Sequence, residues 1–258
     1  MKRVKIVVAY DGTNYHGWQI QPRENTIEGE LNKAISSLTG EDIAVIGASR
    51  TDAGVHALGN VAVFDTESRI PGEKFCFALN QRLPDDIVIQ HSEEVEKDFH
   101  PRHCDCEKIY EYTILNRRFP LPEYRNSAFF YYGKLDVSKM QEACGAFLGQ
   151  HDFAGFCSAG AQVQTTVRTI YSLEVIEKKL NIGGIENTSE ENDRIITIRV
   201  RGNGFLYNMV RIIAGTLLEI GKGSILVEEM PDIIASCDRS RAGNTAPACG
   251  LKLVKIIY

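Results

Sequence analysis

An aspartate, Asp52, stands in a short polar stretch whose residue types could support catalysis. Residues 47–56 have the sequence GASRTDAGVH, which places small residues and an arginine around the acid. A carboxylate in a short loop between strands is held by a rigid scaffold and stays accessible to a large substrate. It could act as a nucleophile or as a general base. Asp and Gly also form ordinary turns, so the stretch alone leaves a purely structural role open.

An arginine, Arg211, interrupts an apolar helical pattern. Apolar residues cover nearly the whole circumference of a helix predicted over 206–220, so this helix should be buried. A buried guanidinium must be paired and hydrogen-bonded, because an isolated buried charge is very costly. We therefore expect a carboxylate to face Arg211. A structural ion pair, or a packed stem whose charged head reaches water, is the alternative.

Aromatic residues alternate along a strand predicted over 108–115. Tyr110, Tyr112 and Ile114 fall on one face of this strand. Alternating tyrosines are usually half-buried packing residues, whereas a ring at a cleft could stack on a nucleic-acid base. Both interpretations remain open from these residues alone.

Four potential metal ligands lie close together in the sequence. His100, His103, Cys104 and Cys106 are spaced too tightly for a usual zinc finger and lack a second, distant pair of ligands. We therefore predict no metal site. The chain also has no Walker P-loop, no strand-turn-helix GxGxxG motif and no zinc deaminase signature, so we predict no nucleotide cofactor.

Composition indicates an ordinary globular protein. The 258 residues are 43% hydrophobic, and no stretch approaches the ~20 apolar residues of a membrane helix. Seven scattered cysteines favour reduced thiols, so we predict a cytoplasmic protein without a membrane association.

The net charge of −5 argues against indiscriminate binding to polyanions. RNA binding would require basic residues to gather on one face, and the candidates are Arg50, Arg102, Lys108, Arg117, Arg118, Arg168, Arg199, Arg201, Arg211, Arg239 and Arg241.

Hydrophobic patterning predicts an α+β fold in two halves, 1–105 and 106–258, with the order βαββαβ that ferredoxin-like and RRM-like domains have. We expect largely antiparallel sheets joined into one continuous sheet, with helices on one side and a cleft on the other. Asn25 is the expected N-cap of the first helix and Gly40 its C-terminal stop. The predicted strands are 3–9, 43–46, 59–64, 87–95, 108–115, 168–177, 195–201 and 251–257, and the predicted helices are 26–39, 72–82, 136–148 and 206–220. Residues 181–193 should form an exposed hairpin tip.

Three stretches resemble the signature segments of the tRNA pseudouridine synthase A family. They are YDGTNYHGWQ at 10–19 with Gln21, SRTDAGVHA at 49–57, and GFLYNMVR at 204–211. Further similarity lies in Phe99 to Arg102, in Tyr110 to Tyr112 and at 246–251. Pro101 and Cys249 depart from the residues common in the family at those positions.

The resemblance implies isomerisation of uridine to pseudouridine in the anticodon arm of tRNA, at positions 38 to 40, by a homodimer without metal or organic cofactor. Asp52 would be the catalytic carboxylate, as nucleophile or as the base of a glycal route. Arg211 would pair with Asp52 within salt-bridge distance, and the Tyr110 ring would border the same cleft and pack on the uracil. Arg50 would hold the flipped nucleotide by its phosphate. We assign further RNA contacts to Arg102, Lys108 and Arg168.

Two other classes of function compete with this interpretation. A non-catalytic RNA-binding protein could keep the fold and a basic cleft, but it would have less need for the acid and for Arg211. A small-molecule enzyme of ferredoxin-like fold could use Asp52 as a base, and binding of full-length tRNA would separate it from a tRNA enzyme.

Overall fold

A computed structural model describes residues 1–103, 105–160, 163–180 and 193–258. The mixed α+β class predicted from the sequence is confirmed, since the strand pairs are mostly antiparallel and the helices are few. The chain divides into two compact units, Met1–Cys106 with Lys252–Tyr258, and Glu107–Leu251. Among the described residues, no helix is long and apolar enough to cross a membrane.

The first unit is built around a central strand with alternating burial. β1 is Lys2–Tyr10, and the unit continues with α1 (Ile27–Thr39), β2 (Ile46–Gly47), β3 (His56–Thr66), α2 (Phe75–Leu79) and β4 (Ile87–Val95). β1 pairs antiparallel with both β3 and β4. Its side chains Val4, Ile6, Val8 and Tyr10 are buried while their neighbours are only partly so, as a strand with one face on the core requires.

The second unit has a longer antiparallel sheet and more helix. Its elements are β5 (Glu107–Asn116), β6 (Phe129–Tyr131), α3 (Val137–Ala143), β7 (Gly149–Asp152), β8 (Val167–Lys179), β9 (Arg194–Gly202), α4 (Met209–Lys222) and α5 (Met230–Ser236). β9 lies between β5 and β8, and β7 pairs with β8. β6 adds to β5 in parallel. The last strand, β10 (Leu251–Ile257), belongs to the first unit from Lys252 onward, where Lys252 and Leu253 pair in parallel with β3.

Several predicted boundaries were wrong for local reasons. Thr26, not Asn25, caps α1, because its hydroxyl accepts from the Gly29 amide. The predicted helix 72–82 is a 3-10 turn followed by the short α2, and helix 136–148 becomes a 3-10 turn after Ala143. The predicted strand 43–46 is reduced to β2. Gly40 ends α1 in the left-handed conformation, as predicted.

The predicted start of the buried helix, residue 206, was also wrong by three residues. α4 begins at Met209 because Asn208 has a φ of 61°, a left-handed conformation that a right-handed helix cannot contain. The predicted burial of this helix is confirmed, since most of its side chains are buried. The predicted hairpin tip at 181–193 lies, except for Asp193, outside the described residues.

Candidate active site

Asp52 lies on the loop that connects β2 to β3, as predicted. Its side chain is half-buried, whereas the preceding Arg50 is exposed and Thr51 is buried. The turn is closed by a hydrogen bond from the Val55 amide to the Asp52 carbonyl oxygen, 3.1 Å. The loop therefore leaves the acid partly accessible, while hydrogen bonds hold its backbone in place.

A second segment, residues 10–18, holds this loop from outside. The Trp18 amide donates to the Thr51 carbonyl at 3.0 Å, and the Gly54 amide donates to the Tyr15 carbonyl at 3.2 Å. These two bonds lie on either side of Asp52 in the sequence. The first signature stretch is thus hydrogen-bonded to the second, which explains why the two stretches occur together. We call residues 10–18, together with the Asp52 loop to which they are bonded, the clasp.

Two glycines let the backbones of the clasp approach each other. Gly17 has a φ of 91°, and a Cβ there would lie 2.6 Å from the Thr51 carbonyl oxygen. A Cβ on Gly12 would overlap the Val55 carbonyl. Any larger residue would push the 10–18 segment away from the Asp52 loop.

A buried hydrogen-bond network supports the loop from beneath. The Tyr10 hydroxyl and Thr51 Oγ1 are 2.8 Å apart. Asn60 is fully buried in β3, and its amide nitrogen donates to the Ser49 carbonyl at 3.0 Å and to the Tyr10 hydroxyl at 3.3 Å. Sequence reasoning missed Asn60, although a polar residue inside the apolar run GNVAVF was a usable signal, because a buried amide must be hydrogen-bonded.

At the edge of the clasp, a histidine lies beside an acid. His56 Nδ1 accepts from the Gly12 amide and lies 3.1 Å from an Asp11 carboxylate oxygen. Burial alone would raise the pKa of Asp11, but hydrogen bonds from Thr13 outweigh it, so this pKa lies below its usual value. Asp11 therefore stays ionised and helps to hold the beginning of the clasp.

In the second unit, the alternating tyrosines of β5 have different surroundings. The Tyr110 ring is buried and meets the Phe205 ring edge-on, with centroids 5.3 Å apart. The Tyr112 hydroxyl donates to the Pro247 carbonyl at 2.9 Å, and burial raises the pKa of this phenol well above its usual value. Tyr112 is thus a structural residue of the core, whereas Tyr110 lies against the loop that leads into α4.

Arg211 lies in the first turn of α4 and is half-buried rather than fully buried. Its Nε donates to the Ala246 carbonyl at 2.7 Å, and its Nη1 donates to Asn208 Oδ1 at 2.8 Å. Bonds at two different nitrogens fix both the plane and the direction of the guanidinium. Because Asp52 and Arg211 belong to different units, the predicted ion pair between them stays a prediction.

The loop that carries Ala246 is packed directly onto α4. Arg239 donates to the carbonyls of Ala242 and Gly243 and to Thr245 Oγ1. The Gly243 amide donates to Thr216 Oγ1 of α4 at 2.9 Å. These bonds help to hold the loop whose Ala246 carbonyl accepts from Arg211.

The predicted RNA-binding residues differ in accessibility. Arg102 is exposed, whereas Lys108 and Arg168 are half-buried. Arg168 donates to the Thr165 and Val167 carbonyls, and burial lowers its pKa below the usual value. Other basic candidates are neutralised by ion pairs, which join Arg117 to Asp193, Arg199 to Glu111, and Arg201 to Glu107.

The histidine and cysteine cluster shows no metal geometry in the part of the chain that the structure describes. The His100 and His103 rings lie 4.0 Å apart, and no group of three or more metal-binding side chains converges among the described residues. Cys104, which belongs to this cluster in the sequence, lies outside them.

Comparison with known proteins identifies one family. The family model described as tRNA pseudouridine synthase matches residues 6–103 and 143–258. Two similar proteins are named tRNA pseudouridine synthase A: one from Ruminiclostridium cellulolyticum, 50% identical, and one from Acetivibrio thermocellus, 49% identical. A tRNA pseudouridine synthase A 2 of Clostridium perfringens is 46% identical. Each alignment covers all of both chains. The matched ranges include Arg50, Asp52 and Arg211, whereas Tyr110 falls between them.

Proposed function

Because the chain belongs to the tRNA pseudouridine synthase family, we propose that it isomerises uridine in the anticodon arm of tRNA, at positions 38 to 40, with Asp52 as the catalytic carboxylate. It is an isomerase that acts on tRNA. The reaction breaks the bond between uracil N1 and the ribose and forms a bond from C5 to the same ribose carbon. The C5 proton is released and N1 gains a proton, so no electrons are exchanged and no cofactor or metal enters the proposal.

Asp52 is the residue that starts the reaction. It either attacks the ribose carbon as a nucleophile or removes a ribose proton as a base, and both routes require the ionised carboxylate. Arg211 supplies the positive charge that favours this ionised form. The observation that carries the assignment is the clasp, which holds the Asp52 backbone on both sides and leaves the carboxylate half-exposed.

Five further residues contact the substrate in this proposal. Tyr110 packs on the uracil and takes part in removal of the C5 proton, directly or by positioning a water molecule. Arg50 is exposed two residues before Asp52 and binds a phosphate of the flipped nucleotide, since a base inside a helical stem cannot be reached in place. The RNA contacts outside the active site come from Arg102, Lys108 and Arg168.

The protein acts in the cytoplasm as a homodimer, in which one tRNA crosses from one subunit to the other. A chain with a net charge of −5 must concentrate its basic residues to bind RNA, and a dimer doubles the basic surface that a single tRNA can contact.

Release of tritium from unmodified tRNA that carries tritium at uracil C5 tests the proposal. Only replacement of the hydrogen at C5 sets this label free, so the assay distinguishes isomerisation from binding. We expect release from wild-type protein, with the label lost from the anticodon arm. Binding of tRNA without release would instead favour a non-catalytic RNA-binding protein, and failure to bind tRNA would favour a small-molecule enzyme.

A further inference from the structure

One side chain that lies just before α4, that of Asn208, contacts the Arg211 guanidinium. We propose that Asn208 is a positioning residue, which sets the direction of the Arg211 guanidinium for catalysis. This inference rests on the function proposed above. It concerns no contact with substrate, because Asn208 acts only through the arginine.

The first argument is that Asn208 does not perform the task its position favours. Asparagine is among the preferred N-cap residues, since its side-chain oxygen normally accepts from an amide of the first helical turn. Asn208 occupies the N-cap of α4 but makes no such bond. Its Oδ1 accepts from Arg211 Nη1 at 2.8 Å instead. A usual contribution to helix stability is thus replaced by a contact to the guanidinium.

The second argument is the backbone conformation of Asn208. Its φ of 61° lies in the left-handed region, which is unfavourable for most side chains and is tolerated by asparagine and glycine. This conformation ends the irregular segment after β9 and starts the helix, as the hydrogen bond from the Ile212 amide to the Asn208 carbonyl shows. Glycine would satisfy the backbone alone, so the presence of an amide side chain requires another explanation.

The third argument is that the amide itself is held in one orientation. Arg211 has only donors, so the atom facing it must be the oxygen of Asn208. The amide nitrogen then donates to Ser158 Oγ at 2.9 Å. The Ser158 amide in turn donates to the Tyr207 carbonyl, 3.1 Å. Ser158 therefore keeps Asn208 from rotating away from the guanidinium.

These contacts form a support with two sides. Asn208 holds Nη1 and Ala246 holds Nε, so the guanidinium cannot turn about its stem without losing one bond. Removing the amide takes away the bond at Nη1 and so loosens one side of this support. Small misplacements of a charged group can reduce turnover by up to about 100-fold, even when the group itself is present.

Asn208→Gly is the variant that tests the proposal, because glycine keeps the left-handed backbone and removes only the amide. We expect kcat for tritium release to fall about tenfold or more, while KM and the Kd for tRNA stay within about twofold. Asn126→Gly, the same substitution in a turn of the same unit, is the control and should leave kcat unchanged. A thermal unfolding curve for each variant checks that the fold is intact.

A double-mutant cycle separates positioning from a general structural role. If Asn208 acts through Arg211, adding Asn208→Gly to Arg211→Gln should lower kcat by less than about twofold further. Multiplying effects, or an Asn208→Gly variant with wild-type kcat, would overturn the proposal. If Asn208→Gly does not fold, Ser158→Ala replaces it in the same cycle, with the same two outcomes.

The same assays distinguish this inference from the proposed function. Wild-type protein that releases no tritium would contradict the proposed function itself. Active wild type with an inactive Asp52→Asn variant and a fully active Asn208→Gly variant would contradict the positioning role alone.

Discussion

Backbone hydrogen bonds fix the position of Asp52, whereas its carboxylate carries the charge that the proposed reaction needs. Its backbone is fixed by the bond from the Val55 amide and by the clasp bonds at Thr51 and Gly54. These bonds are made by the backbone, so a substitution that changes only the carboxylate leaves them in place. Substitution at position 52 therefore tests the chemistry of the carboxylate while the backbone bonds of the loop remain.

We predict that Asp52→Asn abolishes tritium release but leaves the Kd for tRNA within a few-fold of wild type. The amide is nearly isosteric but can neither attack the ribose nor accept its proton. Affinity should persist because phosphate contacts dominate it, and Asp52 contributes none that is favourable. Asp42→Asn, at an exposed acid of the same unit, serves as the matched control. Residual activity above about a tenth of wild type would refute Asp52 as the catalyst.

The Tyr110 hydroxyl can be tested in a similar way. We predict that Tyr110→Phe lowers kcat for tritium release, because the ring still packs while the group that removes the C5 proton or orders its water is lost. Tyr132→Phe is the control, since Tyr132 is 75% exposed and its hydroxyl makes no hydrogen bond in the described structure. Equal rates for the two variants would leave Tyr110 with a packing role only.

At the scale of elements, the first signature stretch packs onto β2 through the side chain of Trp18. Gly47 of β2 lies under the buried Trp18 indole, and a Cβ on Gly47 would overlap this ring. Trp18 also donates its amide to Thr51. The indole, the glycine below it and the Asp52 loop are therefore packed together. A single added methyl group at Gly47 should displace the Asp52 loop as well.

We predict that Gly47→Ala lowers the free energy of unfolding by about 1 to 3 kcal/mol, because the added methyl must displace the Trp18 ring. Tritium release should fall as well, since Trp18 carries one end of the clasp. Gly145→Ala is the control, because a Cβ at Gly145 meets nothing within 4 Å. Urea unfolding measures both variants. Equal stability would mean that the clasp tolerates a shift of Trp18.

How much of these elements the sequence predicts depends on how local the determining interaction is. The Asp52 loop and the buried α4 were predictable, because turn chemistry and an apolar periodicity are visible in neighbouring residues. The start of α4 was not, since the left-handed Asn208 is stabilised by Ser158, fifty residues earlier. The short strands β6 and β7 escaped for a different reason, because three or four residues are too few for a period-two pattern.

At the scale of the whole molecule, charge must be counted by location rather than in total. The net charge of −5 includes arginines that are already neutralised, such as Arg199 beside Glu111 and Arg201 beside Glu107. Arginines can bind phosphates, but the charges of these two are paired with glutamates of the sheet. Sequence patterns could not reveal this, because Arg199 and Glu111 are 88 residues apart in the chain.

We predict that the active protein is a homodimer. A single chain with a net charge of −5 offers a limited basic surface to a substrate as large as tRNA, and a second copy supplies the remainder of the groove. Light scattering after size-exclusion chromatography at micromolar concentration should give twice the mass of 28.8 kDa. A monomer that remains fully active in the tritium assay would rule out the shared groove.

The last prediction concerns how tRNA affinity depends on salt. Each phosphate contact releases counterions, so log Kd should rise with log salt concentration by about 0.7 to 0.9 per contact. Arg102 is exposed, and its side chain forms no ion pair in the described structure, so its charge can reach a phosphate. We expect Arg102→Gln to weaken tRNA binding and to reduce the slope by roughly one contact, with kcat at saturating tRNA unchanged. Arg82→Gln, at an exposed arginine outside the three signature stretches, should leave the slope as it is. If both variants keep the wild-type slope, Arg102 lies away from the RNA, and the groove must be built from other basic residues.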